Sequence, residues 1–339
     1  MLRQLDVGRA IFRLPVYPQS CNPYLGYARA DRPFPAGQSR ADTINLRATE
    51  LLHACAEPGW EKLFVVGEQR RGELVRYDTK TRQWGSYLSG ISAEHLQFSK
   101  DGKWVVYATY PEASLWRSKV DGSQRLQLTY PPLQATEPRW SPDGKQIAFT
   151  AREPGNPWKI YLISAEGGSP QPLTSGEAHK SDTGWSPDGK KLLFLEARTI
   201  HLLDLQTRQV SALPDAKGLG YPRWSPDGRY IAAIPFEARD KLLLFDFTTQ
   251  RWTELAQQQA LWPRWSRDGK YIYCSSSSEN DISRVRVGDR KIERLASIKD
   301  FRLVKGVFGA WVGWTPDDQP LMLRDVGTQD IYALEWQIP

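Results

Sequence analysis

Aspartate is the residue type whose spacing in this sequence first suggests chemistry. It recurs every 39 to 49 residues within a short motif, aromatic-Ser/Thr-x-Asp-Gly/Asp. The six motif aspartates are Asp101, Asp143, Asp188, Asp227, Asp268 and Asp317. Calcium prefers such carboxylates, but the order Pro-Asp-Gly also suits a tight turn, because Pro presets φ, Asp bonds nearby backbone and Gly accepts a positive φ. We interpret these aspartates as turn residues and predict no metal site.

The remaining chemistry-bearing residues do not form a known catalytic pattern. The sequence has 4 histidines, and His179 and His201 stand 22 positions apart without an HExxH motif. It also lacks GxSxG, which marks the nucleophile of α/β-hydrolases, and the glycine-rich motifs that bind nucleotides. We therefore predict a protein that is not an enzyme and uses no cofactor.

Tryptophan is unusually frequent, with 14 residues against 2 methionines. Five of the tryptophans open a copy of the motif: Trp140, Trp185, Trp224, Trp265 and Trp314. An aromatic ring at the end of a strand, repeated at this spacing, is expected to pack between neighbouring sheets. The motif aspartates and tryptophans are therefore predicted to be structural.

The composition limits the class of protein. With 339 residues, of which 40% are apolar and 25% charged, the chain can fold around a sizeable core. No apolar run reaches the roughly 20 residues of a membrane helix, and the N-terminus lacks the apolar stretch of a signal peptide. The cysteines Cys21, Cys55 and Cys274 form no CxxC pair, and a net charge of +6 is weak support for a nucleic-acid partner. We predict no membrane segment and no nucleic-acid binding in this chain, and we assign no compartment.

The elements that position the motif are short strands. Three short runs follow each of the first five copies, as in Gln146-Ile-Ala-Phe-Thr150 and Lys159-Ile-Tyr-Leu-Ile-Ser164. Four strands in about 40 to 45 residues are typical of a β-propeller blade. No segment with helical periodicity separates the runs, which argues against alternating strands and helices.

The ends of the repeat array leave two ways to close the ring. Five complete blades span about residues 95–296, residues 62–88 supply three more strands, and the last motif is followed by two. In a six-blade ring, Trp84–Leu88 completes the last blade and 62–80 stay outside. In a seven-unit ring, 62–88 form a defective first blade, and we favour this slightly. The predicted fold is all-β, a six- to seven-bladed propeller with incomplete first and last blades.

The repeated Trp-Ser-Pro-Asp-Gly-Lys with its downstream Leu-Thr resembles the TolB-like propellers built of WD40-like Pro-Asp repeats. Two stretches, 67–78 and 324–334, resemble a narrower group, the large bacterial CadC-like regulators with an N-terminal winged helix. That resemblance implies the sensor region of a transcriptional regulator whose DNA-binding and membrane-spanning parts are absent from this sequence. It leaves a periplasmic location of the parent's sensor region open.

Residues 1–61 do not follow the repeat. When Glu50–Lys62 is back-translated and read one base later, it can encode NFYTPVPSPDGK, a blade motif in the right place. The same shift near the N-terminus permits CCGNWTSDGRYFVF. We therefore predict two regions, an irregular segment 1–61 translated out of frame and a propeller at 62–339. Cys21, Cys55 and His53 then have no functional role.

Binding residues are expected in the longer loops, because loops on a rigid scaffold commonly carry recognition. In a propeller the inter-blade connections share one face with the turns between second and third strands. The candidates for this loop face are Glu137, Arg152, Trp158, His179, Lys180 and Trp262. Their mixture of aromatic, acidic and basic groups favours a protein or peptide partner. The sequence thus predicts a non-catalytic binding or sensing propeller, and leaves open a hydrolase- or lactonase-like enzyme with a channel metal, or a pseudogene product without function.

Overall fold

The computed structural model describes the backbone of residues 2–7, 10–15, 50–55, 62–276 and 280–335, and the side chains of 67–276 and 280–330. Its regular elements there are β-strands, apart from a 3-10 turn at Leu88–Gly90. No helix in these ranges is long and apolar enough to cross a membrane. Gly72–Asp325 form one compact unit, and the described residues before and after it form a second.

The second unit contains two small antiparallel sheets, with strands numbered here along the chain. One pairs β1 (Leu2–Val7) with β2 (Ala10–Pro15). In the other, β4 (Lys62–Gln69) lies between β3 (Glu50–Cys55) and the last strand, β29 (Thr328–Glu335). Residues 8–9, 16–49 and 56–61 lie outside the described residues, so out-of-frame translation of 1–61 stays a prediction.

The larger unit is a β-propeller of six four-stranded antiparallel blades. Blade 1 contains β7 (Ala93–Phe98), β8 (Trp104–Thr109), β9 (Leu115–Lys119) and β10 (Leu126–Gln127). Blade 2 contains β11 (Gln134–Trp140), β12 (Gln146–Arg152), β13 (Lys159–Ser164) and β14 (Gln171–Pro172). Blade 3 contains β15 (Lys180–Trp185), β16 (Lys191–Glu196), β17 (Thr199–Asp204) and β18 (Val210–Lys217).

Blades 4 to 6 follow the same order from the innermost strand outward. Blade 4 contains β19 (Leu219–Trp224), β20 (Tyr230–Pro235), β21 (Lys241–Asp246) and β22 (Arg251–Gln257). Blade 5 contains β23 (Leu261–Trp265), β24 (Tyr271–Ser276), β25 (Asp281–Arg286) and β26 (Ile292–Ser297). Blade 6 contains β27 (Val312–Trp314), β28 (Pro320–Asp325), β5 (Gly72–Asp78) and β6 (Gln83–Ser86).

The second strand of each blade is a continuous apolar run because neighbouring blades cover both of its faces. In β20, four consecutive residues, 231–234, are fully buried, although alternate side chains project to opposite faces. Motif tryptophans tie the blades together from the inner strands. The indole Nε1 of Trp140 donates to the carbonyl of Gln97 in blade 1 at 3.1 Å, and Trp265 donates to Arg223 of blade 4 at 3.0 Å.

The last blade closes the ring by combining strands from both ends of the unit. Met322 of β28 pairs with Val75 of β5, and Tyr77 pairs with Trp84 of β6. The all-β propeller is therefore confirmed, with six blades rather than seven. The expectation of incomplete end blades is wrong for the last blade, since β5 and β6 supply its outer strands. In the predicted six-blade closure only Trp84–Leu88 entered the ring, whereas β5 enters it as well.

Candidate functional site

The innermost strands of blades 1 to 5 share an irregularity that shapes the central channel. In each, the pairing register shifts three residues before the end of the strand, as between Thr136 and Arg139. Such bulges redirect side chains and are frequent near functional sites. The bulge residue has a positive φ of 50 to 56° in each case: His95, Glu137, Asp182, Tyr221 and Trp262.

These bulge residues meet at the axis of the ring, where they form a deep layer. The ring of His95 in blade 1 lies 5.4 Å from that of Trp262 in blade 5, which in turn lies 5.1 Å from Tyr221 of blade 4. The ring of Trp311, which directly precedes β27 of blade 6, lies 6.0 Å from that of His95. Glu137 Oε2 accepts hydrogen bonds from the Asp182 backbone N–H at 2.8 Å and from Thr150 Oγ1 at 3.0 Å.

A second layer lies one residue before each motif aromatic and borders an open cavity of about 480 Å³. We call this cavity the channel mouth, and it lies at the end of the ring that carries the Ser-Pro-Asp-Gly turns. Blades 2, 4 and 5 contribute arginines to it, and blades 1, 3 and 6 contribute Gln97 and two glycines. The second-layer residues are Gln97, Arg139, Gly184, Arg223, Arg264 and Gly313.

The three arginines make the channel mouth electropositive. Arg223 Nη1 donates to Asp182 Oδ1 at 2.6 Å, and Arg139 Nη2 lies 4.0 Å from the same oxygen. Arg264 Nη1 instead donates to the Trp314 carbonyl at 3.0 Å. Burial and, to a smaller extent, the neighbouring Arg223 cation together lower the pKa of Arg139 to about 10. Burial also lowers the pKa of Arg264 to about 10. The guanidinium groups therefore crowd a desolvated space.

Two carboxyl groups lie deeper in the channel, where burial favours their neutral form. Burial and, to a smaller extent, nearby Glu137 together raise the pKa of Glu94 to about 7. Burial and, to a smaller extent, the Asp182 carboxylate likewise raise the pKa of Glu137 to about 7. Glu94 Oε2 has no hydrogen-bond partner among the described residues.

The opposite end of the channel is covered by the connection between blades 5 and 6, residues 298–311. Gly306 packs so closely on the Glu94 carboxyl of blade 1 that a Cβ would lie 2.2 Å from Oε2. The ring of Phe308 lies 5.4 Å from Trp158 of blade 2. Because this connection reaches blades 1 and 2 from blade 5, it extends across that end of the ring.

The motif turns are stabilised by one repeated hydrogen-bond pattern. In blade 4, Ser225 Oγ donates to Asp227 Oδ1 at 2.5 Å and accepts from the Tyr230 N–H at 2.8 Å. Asp227 Oδ1 also accepts from the Arg229 N–H at 3.0 Å. The hydrogen bond from Ser225 holds the pKa of Asp227 below its usual value. The same Ser-to-Asp bond occurs at Asp101, Asp143, Asp188 and Asp268.

The sixth turn, which contains Asp317, departs from this pattern. Thr315 Oγ1 takes the place of the serine and accepts from the Gln319 N–H at 2.9 Å. Asp318 replaces the glycine of the other turns, with a φ of 60°, and its side chain borders the channel mouth.

Of the six predicted loop-face residues, two lie in the deep layer of the channel, and the other four lie together around Trp158. Glu137 and Trp262 lie in inner strands, not in loops, and belong to the deep layer. Trp158 is buried, its N–H donates to His179 Nδ1 at 3.2 Å, and the Arg152 guanidinium lies 4.5 Å above its ring.

Lys180 also lies in a strand, β15, rather than in a loop. Its Nζ lies 2.7 Å from Glu196 Oε1, and its backbone N–H donates to the Trp158 carbonyl at 2.8 Å. Four of the six predicted residues, Glu137, Trp158, Lys180 and Trp262, are therefore buried.

Sequence reasoning missed the arginines of the channel mouth, although the sequence carries a signal for them. Pro-Arg-Trp occurs three times, always at the start of a motif, at 138–140, 222–224 and 263–265. In the described residues, no group of three or more His, Cys, Asp or Glu is placed to hold a metal ion.

Comparisons with known proteins agree with this architecture. A solved TolB-type structure from Agrobacterium tumefaciens superposes with a TM-score of 0.60 at 19% identity, covering 76% of this chain and 98% of that one. An oligogalacturonate lyase from Vibrio parahaemolyticus reaches 0.55 at 13% identity, covering 78% and 86%. At such identities the likeness concerns the fold alone.

A curated relative, the uncharacterized peptidase YuxL of Bacillus subtilis, is 30% identical over 92 residues. That match covers 25% of this chain but only 14% of the relative's length. The family model described as the TolB beta propeller domain, PD40, matches residues 65–218. Residues 65–218 therefore match the TolB-like β-propeller domain of PD40 repeats, in agreement with the six blades and their repeated Pro-Asp turns.

Proposed function

We propose that this propeller is a non-catalytic binding module that receives a protein or peptide segment at the channel mouth. The observation that carries the proposal is the asymmetry of the channel. One end is covered by 298–311, whereas the end at the motif turns opens into a cavity of about 480 Å³ bordered by all six blades. This volume lies within the range of about 300–1,000 Å³ that is usual for ligand pockets.

The surroundings of the channel mouth support a peptide as the occupant. Motif tryptophans and prolines border it in turn, including Trp185, Trp224 and Pro187. Trp185 and Trp224 are half-buried, so part of each ring is available for contact. Aromatic residues at the edge of a pocket commonly anchor protein partners.

The loop face remains a second location for binding residues. Arg152 and His179 lie beside Trp158 there, but Trp158 itself is buried. We prefer the channel mouth, because it has open volume and surplus charge at the same place.

A search of a random peptide display library with the purified chain tests the proposal. We expect enriched peptides whose binding is lost in Gly184→Tyr, because nothing lies within 4 Å of a Cβ built at Gly184 and the new ring would fill the channel mouth. Tyr130→Ala, which changes an exposed residue outside the channel mouth, serves as the control and should bind normally. Peptides that bind Gly184→Tyr as well as the original chain would contradict the proposal.

An enzymatic role is the competing proposal, since relatives of this fold include a lyase and a peptidase. Metal analysis of the purified protein discriminates between the two. A stoichiometric cation bound by channel carboxylates, with hydrolytic activity lost on its removal, would replace the binding module by a propeller enzyme.

We further propose that the propeller derives from the sensor region of a CadC-like regulator and that residues 1–61 are translated out of frame. The resemblance of 67–78 and 324–334 to that group and the shifted motifs support this. The coding DNA tests both points. Codons for Glu50–Lys62 that cannot encode the shifted motif would overturn the frame proposal, and the lack of a winged-helix sequence in the upstream DNA would overturn the derivation.

A further inference from the structure

We propose that the channel mouth recognises a carboxylate group of an acidic peptide segment, which the guanidinium groups of Arg139, Arg223 and Arg264 bind. This inference rests on the proposed function, because it names the chemistry of the peptide that the channel mouth receives. It adds a ligand class and three residues to that function.

The first step is the balance of charge inside the channel mouth. Three guanidinium groups meet there, and among the residues that the structure describes only Asp182 is within ion-pair distance of any of them. Asp318 lies at the edge of the same cavity, close enough to Arg264 to interact with it. When both aspartates are ionised and Glu137, which also interacts with Arg139 and Arg223, is neutral, one positive charge remains without a counterpart. A single carboxylate matches this charge better than a divalent phosphate does.

The second step is the supply of hydrogen-bond donors. A guanidinium carries five N–H donors in a planar fork that fits a carboxylate with two parallel bonds. In Arg264, Nη1 donates to the Trp314 carbonyl, and the other N–H groups have no hydrogen-bond partner among the described residues. In Arg139, Nη1 donates to the Pro138 carbonyl at 2.9 Å, and the other N–H groups have no hydrogen bond to a described residue. Unused donors of both residues therefore border the cavity.

The third step concerns the positively charged side chains at the rim of the channel mouth. Arg267 and Lys100 border the same cavity, and Arg267 Nη2 donates to the Lys100 carbonyl at 2.9 Å. Clefts lined by charge of one sign attract ligands of the opposite sign and raise association rates. The rim would hold acidic residues that flank the carboxylate bound between the inner arginines, which favours a peptide over a small anion.

The fourth step identifies Gly184 as a position in the channel mouth where a side chain can be added without disturbing the fold. Gly184 occupies the arginine position of blade 3, its φ is not in the left-handed region, and a Cβ there meets nothing within 4 Å. A glutamate at 184 would place a carboxylate of the chain itself between the arginines. A glutamine would fill the same volume without the charge, so the two variants differ only in the property under test.

Fluorescence anisotropy with labelled hexaglutamate and hexaglutamine peptides at low ionic strength tests the inference. We expect hexaglutamate to bind the original chain and hexaglutamine not to bind. Arg264→Met and Gly184→Glu should each weaken binding at least about tenfold, because a desolvated charge pair is lost. The control Arg251→Met should stay within about threefold, because Arg251 is exposed and lies outside the channel mouth. Gly184→Glu should bind at least about tenfold more weakly than Gly184→Gln, which fills the same volume without the charge. Asp318→Gly should tighten binding, since it removes a competing carboxylate.

Equal binding of the two peptides, or equal binding by Gly184→Glu and Gly184→Gln, would overturn the inference. Tighter binding of citrate than of hexaglutamate would overturn the peptide as the source of the carboxylate. If the display library yields peptides without acidic residues that Gly184→Tyr abolishes, the proposed function stands and this inference fails. If neither the library peptides nor hexaglutamate bind, both fail.

Discussion

Glu94 is the residue whose surroundings conflict most with its ordinary chemistry. Its side chain is buried, Oε2 has no hydrogen-bond partner among the described residues, and Gly306 covers the carboxyl group. The nearest cation candidate, His95 Nε2, lies 3.9 Å from Oε1, but burial lowers the pKa of His95 well below its usual value. A carboxyl group without a charged partner is more stable in its protonated form at such a site.

Glu94 should make the stability of the propeller depend on pH near neutrality. Its pKa of about 7 in the folded chain exceeds the usual 4.5, so the folded state holds a proton that the unfolded chain releases. The free energy of unfolding should therefore fall as the pH rises from about 4.5 to 7. Glu94→Gln should flatten this fall and should stabilise the protein at pH 8, as measured by urea unfolding at a series of pH values.

Glu137→Gln provides the matched comparison, because burial also raises the pKa of Glu137 to about 7. Glutamine keeps an oxygen that can accept from the Asp182 N–H and Thr150, but it loses the attraction of the carboxylate to Arg139 and Arg223, so its benefit at pH 8 should be smaller. An identical pH dependence for Glu94→Gln and the original chain would show that Glu94 titrates normally.

The turn serines should contribute more than exposed serines to stability. Ser225 is buried, and its hydroxyl both donates to Asp227 and accepts from Tyr230. Ser225→Ala should lower the free energy of unfolding by about 1–3 kcal/mol, because a buried N–H loses its acceptor. The control Ser169→Ala removes an exposed hydroxyl and should change it by less than about 0.5 kcal/mol. Equal effects of the two substitutions would contradict this account of the turn.

At the scale of elements, the connection 298–311 depends on a residue without a side chain where it packs on blade 1. A Cβ at Gly306 would lie 2.2 to 2.5 Å from the Glu94 carboxyl atoms, which are buried and cannot move freely. Gly306→Ala should therefore destabilise the protein by about 1–3 kcal/mol, the usual range for overpacking. Urea unfolding measures this difference.

Gly85→Ala is the control for that substitution. Gly85 lies in the exposed strand β6, and a Cβ there meets nothing within 4 Å. Gly85→Ala should leave the free energy of unfolding unchanged or raise it slightly, since alanine has less backbone freedom than glycine in the unfolded chain. If Gly306→Ala were as well tolerated as Gly85→Ala, the connection would not pack on Glu94.

At the scale of the whole molecule, the closure of blade 6 joins strands that are about 240 residues apart in sequence. Leu74 of β5 is fully buried beside β28. Leu74→Ala should therefore cost about 2–5 kcal/mol, as for other buried leucines. We expect the loss to appear in the main unfolding transition followed by tryptophan fluorescence, because closure stabilises the ring as a unit.

Val210→Ala, at an exposed position of β18, is the control for ring closure and should change stability little. If Leu74→Ala left the main transition unchanged, β5 would lie outside the ring, as in the alternative closure considered from the sequence. That result would contradict the six-blade arrangement described above.

Much of the fold follows from local sequence, whereas little of the candidate site does. The Ser-Pro-Asp-Gly turn involves hydrogen bonds between residues at most five positions apart, as between Ser225 and Tyr230. Such contacts can be inferred from a short segment, and their repetition predicts the blades. Glu137, by contrast, was placed in a loop because the bulge after Thr136 interrupts the strand pattern.

The sequence by itself determined the propeller class and the turns, because both depend on a short repeated pattern of residue types. Only the tertiary structure decided the number of blades, which depends on pairing between β5 and β28 at opposite ends of the unit. It also decided that Arg139, Arg223 and Arg264 share one cavity. Each arginine lies about 40 residues or more from the next, so only the closed ring brings their charges into a common desolvated space.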